Sequence, residues 1–338
     1  MNTSVLRGAV FCLFCVSAAS ALDGVALVTA DGDIWKADAA TGTRSKVVGR
    51  SDFNNYNTLS GPCFSPDGKR VAYARYQLNT AEMDGSHIIM VDNNGANITY
   101  LCQAFRTGHT SSGGVGGIDC SWADNGYIYW SEDNDKVHRV NVTTKAKETV
   151  VTLAQLSGDL PERIDNLKVS LDANRGGCMV NGSSQGAFGF DFPTLTCKSF
   201  GSGCQGTVSP NGQLVTHSTT GSLGYSYHQV AFIHDFDSKA IVDTIFAPGA
   251  VPGGGTELPR LVFLRFSHSS NDHVVFSGED ALSGKGFAHC LSSNETADLE
   301  TCRPYDFWPG TLPPPPVAGP VVGLDSSSLT FASLDGVV

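Results

Sequence analysis

Short apolar runs separated by turn residues recur along the chain, and the clearest example is the stretch Gly61–Arg75. In it, the turn Ser65-Pro66-Asp67-Gly68 stands between Cys63-Phe64 and the alternating run Arg70–Arg75. Proline fixes φ at the second position, aspartate hydrogen-bonds forward and glycine accepts a positive φ, so these residues predict a tight turn. Apolar runs on both sides of such a turn predict a β-hairpin.

The same order of strands and turns recurs in six copies. The pattern predicts four short strands in each copy except the first, in which it predicts three. The copies cover the stretches 22–48, 61–102, 118–153, 167–200, 206–246 and 261–301. A repeat of roughly 40–55 residues with four strands is typical of a β-propeller. One four-stranded sheet cannot cover both of its faces, so neighbouring sheets pack together around an axis. The sequence therefore predicts an all-β fold, a propeller of six four-stranded blades.

The first copy lacks an innermost strand, and the chain offers a replacement near its C-terminal end. Phe307-Trp308-Pro309-Gly310 repeats the pattern of Phe64–Gly68 with one residue missing. We expect Tyr305–Trp308 to supply the missing strand and so to close the ring. The alternative is that residues 304–310 form a loop that covers one face.

The two ends of the chain predict segments outside the propeller, which we assign to residues 22–310. Residues 1–21 have a positive n-region at Arg7, an apolar h-region and an Ala19-Ser20-Ala21 cleavage site, as in a secretory signal peptide. Residues 311–320 are rich in proline and predict an extended polyproline II linker. Residues 321–338 contain one more strand signal and form either a tail on the propeller or the start of a truncated β module.

The quoted motifs resemble a known family. FSPDGKRVAYAR, residues 64–75, resembles the repeat of TolB-like, WD40-like (PD40) β-propellers, and VSPNGQLVTHS, residues 208–218, is a weaker copy. Residues 126–142 resemble the YWTD repeat, with Trp130-Ser131-Glu132 in place of Trp-Thr-Asp. The fourth and sixth copies depart from the pattern at Asp172-Ala173-Asn174 and His268-Ser269-Ser270-Asn271. The resemblance covers about residues 25–310. It implies the fold, whereas its members include binding scaffolds, receptor modules and some enzymes.

Composition excludes some roles and favours others. The net charge is −11 and only 22 residues are Lys or Arg, which argues against a nucleic-acid partner. After the signal peptide no apolar run is long enough to span a membrane. The leader predicts a secreted protein, extracellular or periplasmic. The sequons at Asn97, Asn141, Asn181 and Asn294 would carry glycans only in a eukaryotic host.

Cysteine content predicts disulfides in this setting. Cys12 and Cys15 lie in the signal peptide, which leaves eight cysteines. An even number in a secreted chain indicates up to four bonds. We expect Cys290–Cys302 across a polar loop and Cys178–Cys197 across a hairpin, and the other four remain unassigned.

Candidate chemistry is concentrated late in the chain. Imidazole and carboxylate groups suit transition metals, and the resembling family includes polysaccharide lyases that hold a metal in the central funnel. The residues that could form such a site are His217, His228, His234, His268, His273 and His289, with Asp235, Asp237, Asp272 and Glu279. Their spacing matches no metal motif, and scattered surface histidines are the alternative explanation.

Three further stretches are candidate ligand-binding loops. Gly108–Gly117 and Gly249–Gly255 are rich in glycine, but no lysine and helix follow as in a phosphate loop. Tyr225-Ser226-Tyr227-His228 is the most exposed aromatic cluster expected and could stack on a glycan.

These observations favour a secreted, non-catalytic binding module that holds a protein or carbohydrate ligand on one face of a propeller. No catalytic or cofactor-binding residue is assigned. The alternative is a metal-dependent, lyase-like enzyme that acts on extracellular polysaccharide through His and Asp residues of the funnel.

Overall fold

The computed structural model describes residues 22–53, 57–77, 86–104, 118–132, 135–180, 186–204, 206–219, 222–225, 228–253 and 259–316. The predicted signal peptide, the loop Gly108–Gly117, Asn181 and the tail 321–338 lie outside these residues. Within the described residues no helix is long and apolar enough to cross a membrane.

The described chain is all-β, apart from three single-turn 3₁₀ helices at Arg50–Asp52, Leu153–Gln155 and Asp280–Leu282. The first half contains β1 (Gly24–Ala30), β2 (Asp33–Asp38), β3 (Arg44–Val48), β4 (Asn57–Phe64), β5 (Arg70–Gln77), β6 (His87–Asp92), β7 (Thr99–Gln103), β8 (Ser121–Trp122), β9 (Tyr127–Glu132), β10 (Lys136–Asn141), β11 (Lys147–Thr152) and β12 (Ser157–Gly158). The second half contains β13 (Asp165–Val169), β14 (Arg175–Val180), β15 (Gly186–Asp191), β16 (Thr196–Cys204), β17 (Leu214–Thr219), β18 (Val230–Asp235), β19 (Ile241–Phe246), β20 (Arg260–Phe266), β21 (His273–Glu279), β22 (Lys285–Cys290), β23 (Glu295–Thr301) and β24 (Arg303–Pro309).

Most strands form small antiparallel sheets that follow the sequence copies. Four sheets have four strands each: β24-β1-β2-β3, β4-β5-β6-β7, β8-β9-β10-β11 and β20-β21-β22-β23. The fourth and fifth copies are joined instead into one eight-stranded sheet, β13 to β19 with β12 beside β16. The joint is short, because β16 pairs with β17 only at Gly203 with Thr219 and at Cys204 with Ser218.

The strand expected at Tyr305–Trp308 is present within β24. It pairs antiparallel with β1, and Val25, Ala26 and Leu27 stand opposite Trp308, Phe307 and Asp306. The first sheet is therefore built from the two ends of the described chain.

The hydrophobic core lies between sheets, as the propeller arrangement requires. Five of the six apolar clusters in the described chain draw buried side chains from two neighbouring sheets, and the sixth lies within the eight-stranded sheet. Examples are Leu27 with Val71, Ala72 with Trp130, Tyr129 with Phe190, Ile233 with Phe276, and Val28 with Val275. This pattern of small sheets packed face to face is the arrangement of a propeller.

The turns reuse one chemistry, even where the sequence pattern weakens. Ser65 Oγ donates to Asp67 Oδ1 at 2.6 Å and accepts from the Arg70 N–H at 3.0 Å. Ser170 makes the same bonds to Asp172 and Arg175, at 2.6 and 3.0 Å. In that turn Ala173 takes the left-handed conformation, with φ of 60°, which Gly68 takes in the first turn.

The start of the proline-rich segment lies against the second sheet. Leu312 packs on the cluster between the first and second sheets, and the Pro313 carbonyl accepts from Asn93 Nδ2 at 2.9 Å. Residues 311–316 have no regular secondary structure.

Neither expected disulfide forms, and the strand register gives the reason. Cys178 stands opposite Phe188 of β15, and Cys197 stands opposite Phe190 on the other edge of β15. Two strand spacings separate these cysteines by about 9–10 Å, whereas a disulfide needs Cα atoms within about 7 Å. Cys178 and Cys197 are both thiols.

Cys290 and Cys302 lie near opposite ends of the β22–β23 hairpin. Cys290 pairs with Glu295, whereas Thr301, which precedes Cys302, pairs with Lys285. Cys290 Sγ donates to Asp272 Oδ2 at 3.3 Å, and Cys302 Sγ donates to the Leu299 carbonyl at 3.4 Å. The sequence pattern showed two cysteines that flank a loop, but the residues between them are mostly strand.

One glycine marks the closest approach between two sheets. A Cβ on Gly61 would lie 2.1 Å from the Ile118 carbonyl oxygen and 2.4 Å from Asp119 Cα, and its φ is 56°. At Gly126, by contrast, φ is 78° and a Cβ would have no atom within 4 Å.

We expect Gly126→Ala to cost about 1–2 kcal/mol from the backbone conformation alone. Gly61→Ala should lower the free energy of unfolding further, because backbone atoms block the methyl group. Urea denaturation of both variants checks this, and equal losses would contradict the close approach.

Candidate functional site

The late histidines do not converge. His217 and His234 touch through Nδ1 and Nε2 at 3.3 Å on β17 and β18. His273 bonds Ser270 Oγ and His289 bonds Thr296 Oγ1, both at 2.8 Å. His268 bonds the Trp122 carbonyl at the centre of the molecule. Each of these rings has its own hydrogen-bond partner, and apart from the His217–His234 contact no two of them share one.

Three of the four acidic residues proposed with them are also held locally. Asp235 accepts from the Ser238 N–H at 2.8 Å, and Asp237 pairs with Arg175 at 2.8 Å. Asp272 accepts from the Ser292 N–H at 2.9 Å, whereas Glu279 is exposed at the end of β21. Among the described residues no group of three or more His, Cys, Asp or Glu could hold a metal ion.

The expected aromatic cluster is only partly described. Tyr225 packs on Phe246 with ring centroids 5.2 Å apart, and His228 is buried. Gly253 of the second glycine-rich loop donates its N–H to the Gly224 carbonyl at 2.9 Å. Ser226 and Tyr227 lie outside the described residues, as do Gly254 and Gly255.

The inner strands bring together a set of residues that the sequence patterns did not single out. In each copy, one residue directly precedes a buried apolar residue near the end of the innermost strand or segment. All six of these residues are buried, and we call them the inner layer: Asp306, Cys63, Ser121, Lys168, Thr207 and Arg265. Around the axis, oxygen acceptors alternate with Cys63, Lys168 and Arg265.

The three oxygen acceptors join neighbouring inner strands. Asp306 Oδ2 accepts from the Phe64 N–H at 2.8 Å, and Ser121 Oγ accepts from the Val169 N–H at 2.9 Å. Thr207 Oγ1 accepts from the Phe266 N–H at 3.1 Å. These bonds occur at every second boundary between neighbouring inner strands. The polar layer therefore holds the inner strands in register.

Asp306 joins three inner strands. Besides the bond from Phe64, Asp306 Oδ1 accepts from the His268 N–H at 2.6 Å. Burial raises the pKa of the Asp306 carboxyl, although the backbone donors and Lys168 oppose this. Burial lowers the pKa of His268 to about 3, so this ring is neutral at pH 7.

A buried ion pair crosses the centre of the molecule. Arg265 donates to Asp119 Oδ2 from Nη2 at 2.6 Å and from Nε at 3.1 Å. Its Nη1 donates to the Phe263 carbonyl at 3.1 Å. The side chains are 2% and 1% exposed. Nearby, Lys168 Nζ donates to the Cys120 carbonyl at 3.2 Å. These contacts link the third sheet to the fourth and sixth copies.

The molecule has two distinct faces. The strands of each sheet run alternately up and down. The connection that leads into an inner strand therefore lies on the same face as the connection between the second and third strands of a sheet. We call this the loop face. The tight turns, such as Ser65–Gly68 and Asp38–Thr43, lie on the opposite face, which we call the turn face.

An arginine–aromatic cluster stands at the loop-face end of the inner strands. Arg303 Cζ lies 3.5 Å from the Phe263 ring centroid, and Arg265 Cζ lies 4.6 Å from that of Tyr305. Phe263 has a φ of 56°, at a bulge in β20 between Val262 and Arg265. We call Phe263, Arg265, Arg303 and Tyr305 the mouth cluster.

The mouth cluster has capacity to bind. Phe263 and Arg303 are half-buried, whereas Arg265 and Tyr305 are buried beneath them. Arg303 Nε is buried without a hydrogen-bond partner in the described part of the chain. A single arginine inside the apolar run LVFLRF was the available sequence signal, because a charge in a buried strand requires a partner.

The sheets and their packing define a propeller-like all-β protein. No protein-family model matches the sequence, and no curated protein matches it. The structure is similar to TolB from Acinetobacter baumannii, with a TM-score of 0.51 and 14% identity over 86% of this chain and 65% of that chain. The described fold is that of the TolB-like β-propellers, which confirms the family resemblance at the level of fold.

Two further solved structures are similar. The tricorn protease has a TM-score of 0.50 and 12% identity over 83% of this chain and 26% of that chain. An oligogalacturonate lyase in complex with manganese has a TM-score of 0.45 and 12% identity over 82% of this chain and 72% of that chain. The chain spans about two thirds of the TolB structure and about a quarter of the protease.

Proposed function

We propose that the protein is a secreted, non-catalytic binding module that holds an acidic segment of a partner protein on its loop face, over the mouth cluster. The module is a six-bladed propeller over residues 22–310, closed by β24 and preceded by a cleaved signal peptide at 1–21. Residues 311–320 link it to the tail 321–338. The pairing of β24 with β1 supports this closure.

One observation carries the proposal: a half-buried guanidinium, that of Arg303, stacks on Phe263 with its Nε unbonded in the described structure. Arginine and aromatic residues dominate the binding energy of many protein interfaces. A guanidinium already oriented by a ring binds carboxylates well, since its donors are fixed in a plane. The protein is strongly acidic overall and so repels acidic partners. A site for an acidic partner therefore requires cations at that site.

A second arginine lies at this end of the inner strands. Arg163, at the entry to β13, bonds Asp165 through Nε at 2.6 Å, and its Nη2 is buried without a partner among the described atoms. Below the mouth, the polar groups of the inner layer already serve bonds between strands. The inner layer therefore serves as a rigid scaffold, and the arginines above it are left to bind a partner.

The lyase-like alternative has less support. The described candidate ligands bond to their own neighbours, and no observation on the described residues favours a metal there. The same arginines could also hold a uronate polysaccharide, and the experiment below distinguishes that ligand from an acidic protein segment.

The test is capture of a partner by the mature protein from the extracellular protein fraction of its source, followed by measurement of affinity with the purified partner. We expect Arg303→Glu to weaken binding about tenfold or more, since a carboxylate would replace a cation at a desolvated contact. Arg70→Glu is the matched control, because Arg70 begins β5 on the turn face and its partner Asp92 lies 3.6 Å away.

Two results would overturn the proposal. One is a partner whose affinity falls in the control variant and not in Arg303→Glu. The other is turnover of uronate-containing polysaccharides by the purified protein, which would make it an enzyme.

A further inference from the structure

A groove of about 490 Å³ lies on the turn face of the first sheet, far from the mouth cluster. It runs between the start of β1, the β2–β3 turn and the strap 310–312 that follows β24. Its volume is in the range of small-molecule sites. The side chains that matter below are those of Asp23, Val25, Lys36, Asp38 and Leu312.

Two cations line this groove. One is Arg44, whose guanidinium donates to the Thr301 and Leu299 carbonyls. The other is Lys36. Its side chain is half-buried, and burial lowers the pKa of its ammonium group. It makes no ion pair with any described residue, whereas Lys46, Lys147 and Lys285 contact carboxylates at 2.6, 2.8 and 2.6 Å. A partly desolvated cation without a partner is unfavourable, and an anionic ligand group would relieve this.

Two carboxylates also line the groove. Asp38 Oδ1 accepts from the Thr41 N–H at 2.7 Å and from Thr41 Oγ1 at 2.8 Å, which fixes the carboxylate in place. Asp23 lies at the start of β1, exposed and on the groove wall. Val25 and Leu312 provide apolar surface. Besides Arg44, the groove therefore offers Lys36, a cation without an ion pair among the described residues, and two carboxylates around an apolar surface.

Strand geometry sets the spacing of these charges. Lys36 and Asp38 are two residues apart on β2 and project from the same face, so their Cα atoms lie about 7 Å apart along the strand. One amino acid places its ammonium and carboxylate much closer than this. A peptide of two or three residues spans about 7–10 Å when extended, and its ends carry both charges.

We propose that this groove binds short zwitterionic peptides, with the ligand carboxylate on Lys36 and the ligand ammonium group on Asp38 and Asp23. Pro313, which follows the strap, bonds to the second sheet instead, because its carbonyl accepts from Asn93 Nδ2 at 2.9 Å. This site is separate from the loop face, so it stands or falls independently of the proposed partner protein.

The test is calorimetric titration of the mature protein with the dipeptide Ala-Leu. Two blocked probes are compared with it: N-acetyl-Ala-Leu, which lacks the ammonium group, and Ala-Leu amide, which lacks the carboxylate. We expect Ala-Leu to bind and each blocked probe to bind at least about tenfold more weakly, since each loses one charged contact.

Variants assign the contact to the groove. Lys36→Met should weaken Ala-Leu binding about tenfold or more, and Lys46→Met should leave it unchanged, because Lys46 pairs with Asp33 at the other end of β2. Thermal unfolding of both variants verifies that they fold. Absence of Ala-Leu binding at millimolar concentration, equal binding of a blocked probe, or full affinity in Lys36→Met would each overturn the proposal.

Discussion

Arg265→Ala is expected to lower the free energy of unfolding by about 3–5 kcal/mol, because it leaves the Asp119 carboxylate buried without its cation. The two side chains are almost fully buried, and two N–H groups of the guanidinium reach one carboxylate oxygen. Equilibrium unfolding in urea, under reducing conditions and at pH 7, measures the change.

A double variant tests the reason for this loss. Arg265→Met combined with Asp119→Leu removes both charges and fills much of the same volume. Replacement of a buried pair by apolar residues is often neutral or stabilising, so we expect the double variant to be more stable than Arg265→Ala. If it were equally unstable, the damage would come from lost packing rather than from an unpaired charge.

Acidification from pH 7 to pH 5 is expected to destabilise the protein through three buried histidines. Burial lowers the pKa of His217 and of His228 to about 4, and that of His268 to about 3. Between their unfolded pKa of 6.5 and these values, the unfolded chain binds more protons than the folded chain. Stability is therefore fully present above pH 6.5 and is lost as the pH falls. At pH 5 each histidine contributes a loss of roughly 2 kcal/mol.

The pH dependence can be assigned residue by residue. Asp306 acts in the opposite direction, because its raised pKa favours folding as its carboxyl gains a proton. Urea unfolding of the wild type and of His217→Gln at pH 5, 7 and 8 separates these effects. The loss between pH 7 and pH 5 should shrink by roughly 2 kcal/mol in the variant, and pH 7 and 8 should differ little. An unchanged loss would mean that His217 is not buried in its neutral form.

The strands and turns were predictable because they depend on short-range chemistry. The Ser65–Gly68 turn forms as its sequence indicates, and the strand at Tyr305–Trp308 appears from its likeness to Phe64–Gly68. Even the turn at Ser170, which lacks the Pro-Asp-Gly core, keeps the same serine–aspartate bond. These features require only neighbouring residues and a repeating apolar pattern.

The candidate sites were poorly predictable because they depend on distant residues. The two expected disulfides assumed that cysteines on either side of a loop or hairpin face each other. In the structure, β15 lies between Cys178 and Cys197. The histidines near residues 217–289 share a region of sequence but lie on different strands and faces.

The amino-acid sequence alone determined the positions of the strands, the chemistry of the turns and the repeat. These features depend on hydrogen bonds and on the alternation of apolar and polar residues within short stretches. Tertiary structure alone decided that Asp119 meets Arg265, 146 positions later, and that Arg303 stacks on Phe263. The physical reason is that ring-like packing of sheets places inner strands side by side irrespective of their distance along the chain. A buried charge in one strand then selects its partner from another.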